Sequence, residues 1–252
     1  MNVKHIVVQV SGGKDSLVVL HKAKTLDPTE HRITALYNDM GDSFPHVIDH
    51  LVNLCRDWNI PLVISRPTRS VLDTVKEEGL PSDIVPIWSS AETDLFTNLD
   101  NKYVTRLQSG INCCNAHLYQ PILQATMSLL PDMVWRGSKV TDAHVTAGPD
   151  VEYMGIKFFS PIWEWTDEMV FEYIDANEIP IPYQYHYGVN HSLDCMECTA
   201  WLDTDCEVGR AAFTRDEYPV KFEALKAKLK LVDDEIRNQY KKKSLFVKTC
   251  GV

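Results

Sequence analysis

The chain has 252 residues, of which 44% are hydrophobic; this suits one large α/β domain, or one with a C-terminal addition, and excludes a disordered chain. No apolar segment is long enough to span a bilayer, and the first residues lack a secretory pattern, so we expect a cytoplasmic protein without membrane association. The formal net charge of −10 disfavours nucleic acid as a partner, because non-specific binding requires a basic surface.

Strand and helix patterns alternate along the chain. Runs rich in β-branched and aromatic residues predict strands at 5–10, 32–38, 61–65, 132–137 and 157–162. Between the second and third strands, Pro45 to Trp58 predicts an amphipathic helix with Val47, Leu51, Leu54 and Trp58 on one face. This alternation predicts a parallel-sheet, Rossmann-like α/β fold with helices on both faces, in which ligands bind at the carboxyl ends of the strands.

A glycine-rich turn follows the first strand and leads into an apolar helical pattern; its residues are Ser11, Gly12, Gly13, Lys14, Asp15 and Ser16. Backbone N–H groups of such a turn, at a helix N-terminus, form an anion site, and glycine lets the main chain approach a phosphate closely. Lys14 adds a positive charge, while Ser11 and Ser16 can donate hydroxyl hydrogen bonds. Because the spacing differs from that of the common P-loop, we predict a phosphate site of another type.

The chain contains seven cysteines, an odd number that argues against a disulfide framework. Four of them form a candidate metal-ligand set: Cys113, Cys114, Cys195 and Cys198. Four thiolates suit a [4Fe–4S] cluster or a tetrahedral zinc ion. We favour the cluster, because two adjacent cysteines reach one small ion with difficulty, whereas a cluster offers positions on separate irons. Cys55 is predicted to be a core residue, and Cys206 is left without a role.

The sequence changes character after residue 180. Residues 179–206 are rich in proline, aromatic residues and cysteine, which predicts a long ordered loop. Residues 217–240 predict a helix, and the lysines near the C-terminus are interpreted as a solvated face: Lys226, Lys228, Lys230, Lys241, Lys242 and Lys243. We therefore predict an α/β domain at 1–180 and, at 181–252, an extension with the cysteine loop, a helix and a tail.

The glycine-rich turn resembles the PP-loop of the ATP-pyrophosphatase, or adenine nucleotide α-hydrolase, superfamily. Within it the chain most resembles the adenylyl-sulfate and phosphoadenylyl-sulfate (APS and PAPS) reductases. Four further segments carry this resemblance: NDMGDSFPHV at 38–47, NCCNAHLYQPIL at 112–123, SPIWEWTDEMVFEYI at 160–174 and SLDCMECT at 192–199. They occur in the family's order and cover, with the turn, most of residues 5 to 200.

The resemblance implies roles for the nucleotide-binding residues. The six turn residues would bind the phosphates of ATP or a related adenine nucleotide together with Mg²⁺, with Lys14 and Asp15 as catalytic residues. Asp39 would contact the ribose, the base or Mg²⁺. Lys139 occupies the place of an arginine with which the reductases bind the anionic groups of their substrate.

The resemblance also implies roles for cysteines. APS reductases hold a [4Fe–4S] cluster with a tandem Cys-Cys and a Cys-x-x-Cys, which points to the set of four defined above. The reductases further carry a nucleophilic cysteine on a flexible tail, which attacks the sulfur of the sulfonucleotide before thioredoxin releases sulfite. Cys250 has this place here and is followed by the expected glycine, without the glutamate and histidine of the family's tail.

Two departures from the reductase pattern favour ATP over a sulfonucleotide. The turn keeps Lys14, which reductases usually lack because their substrate has no β- or γ-phosphate. Lys139 cannot reproduce a bidentate arginine contact, and Arg136 replaces it only if the register shifts. We predict an iron–sulfur enzyme that cleaves ATP at the α-phosphate to activate a substrate, with a sulfur donor as partner in a sulfur-transfer reaction. The alternatives are an APS or PAPS reductase that uses Cys250 and thioredoxin, and a nucleotide- or redox-sensing module without turnover.

Overall fold

The computed structural model describes residues 4–85, 107–142, 148–202 and 207–250, with the backbone alone at 242, 243, 245–248 and 250. By its internal contacts the chain divides into two compact units. The first consists of Met1–Thr68 and Leu118–Asp194, and the second of Arg69–His117 and Cys195–Val252. The domain boundary inferred from the sequence, at residue 180, stays a prediction.

The described residues form eight strands: β1 (Lys4–Gln9), β2 (His31–Asn38), β3 (Leu62–Ser65), β4 (Leu80–Ser82), β5 (Leu107–Ser109), β6 (Met133–Trp135), β7 (Asp150–Tyr153) and β8 (Ile156–Phe159). They also form nine helices: α1 (Lys14–Lys24), α2 (Pro45–Asp57), α3 (Val71–Glu78), α4 (Gly110–Cys114), α5 (Gln120–Leu129), α6 (Asp167–Ala176), α7 (Tyr183–Tyr187), α8 (Arg210–Glu217) and α9 (Pro219–Cys250). A π-helical turn, Asn115–Tyr119, follows α4. All five predicted strands are confirmed, with ends shifted by at most three residues, whereas β4, β5 and β7 were not anticipated.

The first unit contains a six-stranded sheet with the strand order β3-β2-β1-β6-β8-β7. Paired strands run parallel, except that β7 is antiparallel to β8. Val8 in β1 pairs with Ala35 on one side and with Trp135 on the other, so β1 is an interior strand. With helices on both faces, the unit has the predicted Rossmann-like α/β fold.

The core of the first unit explains the apolar run in β1. Val7 is fully buried and packs with Leu36, Val134 and Phe158, one residue from each of four strands. A strand that is buried on both faces requires nearly continuous apolar residues rather than strict alternation. Each buried side chain of this size contributes about 1.5–3 kcal/mol, and together they hold the carboxyl ends of these strands side by side.

The amphipathic helix between β2 and β3 is confirmed as α2. Pro45 is at its first position, where the missing N–H of proline costs no helical hydrogen bond. Val47, Leu51 and Leu54 are buried as predicted. Cys55 is buried on the same helix, which confirms it as a core residue.

The second unit contains a two-stranded parallel sheet of β4 and β5. Leu80, Val85 and Leu107 pack there with Val232 of α9. The sequence predicted that the last helix ends at Tyr240 and that a tail follows, which is wrong: α9 has 32 residues and continues to Cys250. The reason is that residues 241–250 contain no glycine or proline to end it. None of the helices among the described residues combines the length and apolarity needed to cross a bilayer.

Candidate functional site

A cavity of about 820 Å³ lies at the carboxyl ends of strands in the first unit. Gln9 ends β1, Asn38 ends β2 and Arg136 follows β6, and all three belong to its wall. This is the edge of a parallel sheet at which ligands bind in α/β proteins. Most of the residues predicted to bind phosphates line it: Ser11, Gly13, Lys14, Asp15, Ser16 and Lys139.

The glycine-rich turn is held in one conformation by its own side chains and by close packing. The hydroxyl of Ser16 donates to the carbonyl oxygen of Gly13 at 2.8 Å, and the N–H of Ser11 donates to Ser16 Oγ at 3.2 Å. Gly12 has a φ of +78°, and a Cβ at this position would lie 2.3 Å from Val47 Cγ1. The turn therefore requires glycine at this position and fixes the start of α1 at the cavity.

Helix α7 and the segment after it pack against the same turn, which the sequence did not predict. The N–H of Lys14 donates to the hydroxyl of Tyr185 at 2.7 Å. Burial raises the pKa of Tyr185, so its phenol stays protonated. At Gly13, a Cβ would lie 2.8 Å from the Cβ of Ser192. The aromatic-rich loop is thus one wall of the cavity, a role for which its composition gave no specific signal.

Four charged side chains beside the turn form a closed ring of alternating sign, which we call the charge ring: Lys14, Asp15, Lys139 and Asp167. Lys14 Nζ lies 3.1 Å from Asp15 Oδ2 and 3.3 Å from Asp167 Oδ1. Lys139 Nζ lies 2.6 Å from Asp15 Oδ1 and also donates to Asp167 Oδ1. The ring joins the first turn of α1, the loop after β6 and the first residue of α6.

The lysines of the charge ring are buried, whereas one of its carboxylates is exposed. The side chains of Lys14 and Lys139 are 5% and 4% exposed, and that of Asp167 is 54% exposed. Burial opposes the charge of Lys139, but hydrogen bonds to Asp15 and Asp167 raise its pKa. Burial opposes the charge of Asp167 too, but the hydrogen bond from Lys139 and the charges of both lysines lower its pKa. Lys139 and Asp167 therefore stay ionised around neutral pH.

Asp167 is a residue of the site that the sequence did not predict. It follows Thr166, whose hydroxyl accepts a hydrogen bond from the N–H of Met169 and caps α6. In the sequence, Thr-Asp-Glu before an apolar segment signals only the start of a helix. Its pairing with Lys14 and Lys139 depends on tertiary structure and could not be read from the chain.

Arg136 lies in the cavity wall together with several apolar side chains. Its guanidinium carbon is 5.0 Å from the centroid of the Phe158 ring, and its buried Nε has no hydrogen-bond partner among the described residues. Burial lowers the pKa of Arg136. Apolar and amide side chains line another part of the wall and suit a flat base: Tyr37, Asn38, Met40, Leu118 and Ile122.

Asp39 follows β2 but is not among the residues of the cavity wall. Its Oδ2 accepts from Arg66 Nε at 3.0 Å, and its Oδ1 accepts from the N–H of Gly41 at 3.0 Å. The contact of Asp39 with ribose, base or Mg²⁺ stays a prediction. It requires the ion pair between Asp39 and Arg66 to break.

The four cysteines of the predicted ligand set all belong to the second unit. Cys113 and Cys114 end α4, and Cys195 and Cys198 lie in the loop before α8. None of the four forms a disulfide with another described residue. Burial, together with the neighbouring charges of Cys114 and Cys198, raises the pKa of Cys113 to about 12. A bound cation would reverse this effect, because coordinating thiols ionise.

A buried arginine fixes the loop that carries the second cysteine pair. The guanidinium of Arg210 donates to the carbonyl oxygens of Cys195 and Cys198 at 2.7 and 3.1 Å. Glu197, between these cysteines, accepts from Lys228 Nζ at 2.6 Å. The interpretation of the C-terminal lysines as a solvated face is therefore wrong for Lys228, because its charge is used inside the second unit.

The donor types of this set fit an iron–sulfur cluster, and one compact unit holds all four. Among the described residues, however, no three His, Cys, Asp or Glu side chains converge closely enough to hold a metal ion. The cluster and its ligands therefore stay a prediction. Cys206 lies outside the described residues, and for Cys250 the backbone alone is described, at the end of α9 rather than on a flexible tail.

A mostly parallel sheet, a glycine-rich turn after its first strand and a cavity at that edge define a protein of the Rossmann-like α/β class. Within this class, residues 5–201 match the phosphoadenosine phosphosulfate reductase domain, and the chain belongs to that family. The PAPS reductase of Candida auris, solved as a phosphate complex, has a TM-score of 0.52 at 17% identity, over 75% of this chain and 80% of that one. This similarity confirms the fold, and the family match confirms the resemblance.

Two further proteins are similar over different shares of the chain. The U34-tRNA thiolase NcsA of Methanococcus maripaludis, solved with its [4Fe-4S] cluster, has a TM-score of 0.47 at 14% identity, over 92% of this chain and 74% of that one. A tRNA(Ile)-lysidine synthase of Enterobacter sp. (strain 638) is 27% identical over 84 residues, or 32% of this chain. The matched part spans 18% of the length of that curated relative.

Proposed function

We propose that this protein binds an adenine nucleotide in the cavity of the first unit and cleaves ATP at its α-phosphate, releasing pyrophosphate. The observation that carries this proposal is that two buried lysines, Lys14 and Lys139, reach the cavity beside the glycine-rich turn. A buried ammonium group interacts with phosphate charge more strongly than an exposed one. Fixed charge of this kind is the main requirement for stabilising the charge that develops on a reacting phosphate.

The volume of the cavity and the residues that line it support a nucleotide rather than a free phosphate as ligand. Its volume of about 820 Å³ lies within the range of small-molecule sites. The turn and the N-terminus of α1 would bind the phosphates, because helix N-termini favour anions. The base would pack against the apolar part of the wall, between residues such as Tyr37 and Ile122. Ser11 and Ser16 would add hydroxyl contacts to the phosphates.

The charge balance of the wall supports Mg²⁺ as a co-ligand. Among the described residues, five carboxylates line the cavity, against the three cationic side chains Lys14, Arg136 and Lys139: Asp15, Asp142, Asp167, Glu168 and Asp194. A triphosphate therefore meets a wall whose carboxylates outnumber its cations and needs a counter-ion. Mg²⁺ prefers oxygen ligands from carboxylates and phosphates, and it neutralises charge on the leaving pyrophosphate.

The thiols of the second unit would hold the [4Fe–4S] cluster: Cys113, Cys114, Cys195 and Cys198. Such a cluster supplies electron transfer or a site for binding sulfur. Arg210 would keep the loop of the second pair in place through its bonds to two carbonyl oxygens. A sulfur donor is the partner that this arrangement requires for sulfur transfer.

A second candidate is thiol-dependent reduction of APS or PAPS to sulfite, which the family match over residues 5–201 favours. In that reaction the Cys250 thiolate attacks the sulfur of the sulfonucleotide and expels the nucleotide. A dithiol such as that of thioredoxin then reduces the S-sulfocysteine, which releases sulfite and forms a disulfide. This candidate requires Cys250, whereas cleavage of ATP does not.

Product analysis under anaerobic conditions distinguishes the candidates. The protein is incubated with Mg²⁺ and ATP, or with APS and a dithiol, and the products are separated by chromatography. AMP and pyrophosphate from ATP would support the proposal, and AMP and sulfite from APS would support the reductase. Loss of sulfite formation after removal of residues 250–252 would assign it to Cys250. Binding of ATP without either product would indicate a sensing module and contradict both.

A matched pair of lysine substitutions tests whether the buried charge of Lys14 acts in the cleavage of ATP. Lys14→Met should lower kcat/KM for ATP at least about 100-fold, because it removes a buried charge at the phosphates. Lys24→Met, on the same helix but outside the cavity wall, should leave kcat/KM within about twofold. Equal activity in the two variants would contradict a role for Lys14.

A further inference from the structure

We propose that Asp167 is a resident counter-anion of the charge ring, which the phosphate of the incoming nucleotide displaces from Lys14 and Lys139. Asp167 would thereby determine which anions bind, since a ligand must compete with its carboxylate. This inference rests on the proposed function and gives a specificity-determining role to a residue outside the predicted phosphate motif.

The geometry gives Asp167 the contacts that a phosphate oxygen would make. One atom, Asp167 Oδ1, hydrogen-bonds Lys139 Nζ and lies 3.3 Å from Lys14 Nζ. A single negatively charged oxygen thus bridges both buried ammonium groups at the cavity wall. A phosphate oxygen has the same charge and the same preference for ammonium donors, so the two compete for one position.

Asp167, rather than Asp15, is the carboxylate that can leave. The side chain of Asp15 is 25% exposed, whereas that of Asp167 is 54% exposed. The backbone of Asp15 is also confined, because a Cβ on Gly137 would lie only 2.8 Å from its carbonyl carbon. The side chain of Asp167 already lies more than half in solvent, and solvent stabilises its charge when it turns away from the lysines. Asp15 then remains to hold both lysines in place.

Departure of the Asp167 carboxylate would leave a site suited to highly charged anions. α1 begins at Lys14 and α6 begins at Asp167, so two helix N-termini lie at the charge ring. Within the charge ring, two ammonium groups and two helix N-termini would then face one remaining carboxylate, that of Asp15, while Asp142, Glu168 and Asp194 stay elsewhere in the cavity wall. Anions with several charges displace Asp167 most readily, whereas uncharged ligands gain nothing from displacing it.

Calorimetric binding at constant ionic strength and without Mg²⁺ tests this inference. The probes are ATP, inorganic pyrophosphate and adenosine. Asp167→Asn should bind ATP and pyrophosphate about five- to tenfold more tightly than the wild type and adenosine with unchanged affinity. Asp167→Glu retains the charge and should bind ATP about as tightly as the wild type does. Asp175→Asn removes the same charge at the other end of α6 and should change no affinity more than about twofold.

The outcomes separate this inference from the proposed function. Unchanged affinity of Asp167→Asn for both phosphate probes would overturn it. Weaker ATP binding by Asp167→Asn once Mg²⁺ is added would make Asp167 a metal ligand and would also overturn it. Wild-type binding of pyrophosphate without binding of ATP would contradict the nucleotide proposal, while the pyrophosphate comparison would still decide the role of Asp167. Asp167→Ser, with a residue that is favourable at helix N-termini, repeats the test if the asparagine variant does not fold.

Discussion

At the scale of single residues, the site depends on a position in the turn that only glycine can occupy. Gly12 combines a positive φ with a close neighbour, Val47, on a helix from a different part of the chain. Ser16 accepts from the N–H of Ser11 and donates to the carbonyl oxygen of Gly13, and these hydrogen bonds hold the turn in its shape. A preorganised turn of this kind loses little conformational entropy on binding a phosphate.

Gly12→Ala should lower the free energy of unfolding by more than the cost of the backbone conformation alone. That cost is about 1 kcal/mol for alanine at positive φ, and the clash with Val47 adds to it. Gly41→Ala is the matched control, because Gly41 has a φ of +86° and open space around its Cβ position. Urea unfolding measures both variants, and equal losses would show that the contact with Val47 is unimportant.

At the scale of elements, α2 supports the site although none of its residues lines the cavity. Its buried face contributes Val47, Leu51 and Leu54, and Leu51 is within 3.7 Å of the Cβ position of Gly12. The helix therefore packs directly against the back of the glycine-rich turn. Loosening α2 should affect stability first and nucleotide binding second.

Leu51→Ala should lower the free energy of unfolding by about 2–5 kcal/mol, because it leaves a cavity in a fully buried position. Val52→Ala, one residue along the same helix and 43% exposed, should change it by less than about 0.5 kcal/mol. Chemical denaturation followed by circular dichroism compares the two. Similar values would mean that α2 is not packed as described.

Helix α8 holds the cysteine loop of the second unit in place, because its residue Arg210 donates to two carbonyl oxygens of that loop. Arg210→Met should lower the free energy of unfolding by about 2–4 kcal/mol, because it removes a buried charged donor from two partly buried carbonyl oxygens. Arg215→Met is the control, since Arg215 is on the same helix with a side chain 48% exposed. Limited proteolysis of the loop adds a local readout: faster cleavage near Cys195 is expected for Arg210→Met alone. Identical cleavage of both variants would exclude this role of Arg210.

At the scale of the whole molecule, one buried and two half-buried histidines influence the response of stability to acid. Burial lowers the pKa of His5, His21 and His50, all in the first unit. These groups stay neutral in the folded chain at a pH where they are already protonated in the unfolded chain. The unfolded state therefore binds more protons below the ordinary histidine pKa of about 6.5.

The free energy of unfolding should accordingly fall as the pH decreases from about 7 through 6.5 towards the lowered pKa values. Urea midpoints at several pH values between about 7.5 and 5.5 measure this slope. His5→Gln, which can retain a hydrogen bond to Thr34 Oγ1 at the position of Nε2, should make the slope shallower. A stability independent of pH in this range would contradict the prediction.

The fold class and the position of the turn could be predicted from the amino-acid sequence. Both follow from local rules: β-branched runs form strands, and a glycine-rich segment between a strand and a helix must turn. The amphipathic pattern of α2 was sufficient for the same reason. The family was recognisable because its segments occur in order along one chain, and residues 5–201 match it.

Which charged side chains of the site form ion pairs depends on the tertiary structure. Lys14 and Asp167 are 153 residues apart in sequence, yet their charged atoms are 3.3 Å apart. Tyr185, Arg210 and Lys228 likewise received their roles from contacts between distant segments. The periodicity and composition of a segment determine its local conformation, but the partner of each side chain depends on how the elements pack. The charge ring is therefore a property of the folded chain that no local pattern encodes.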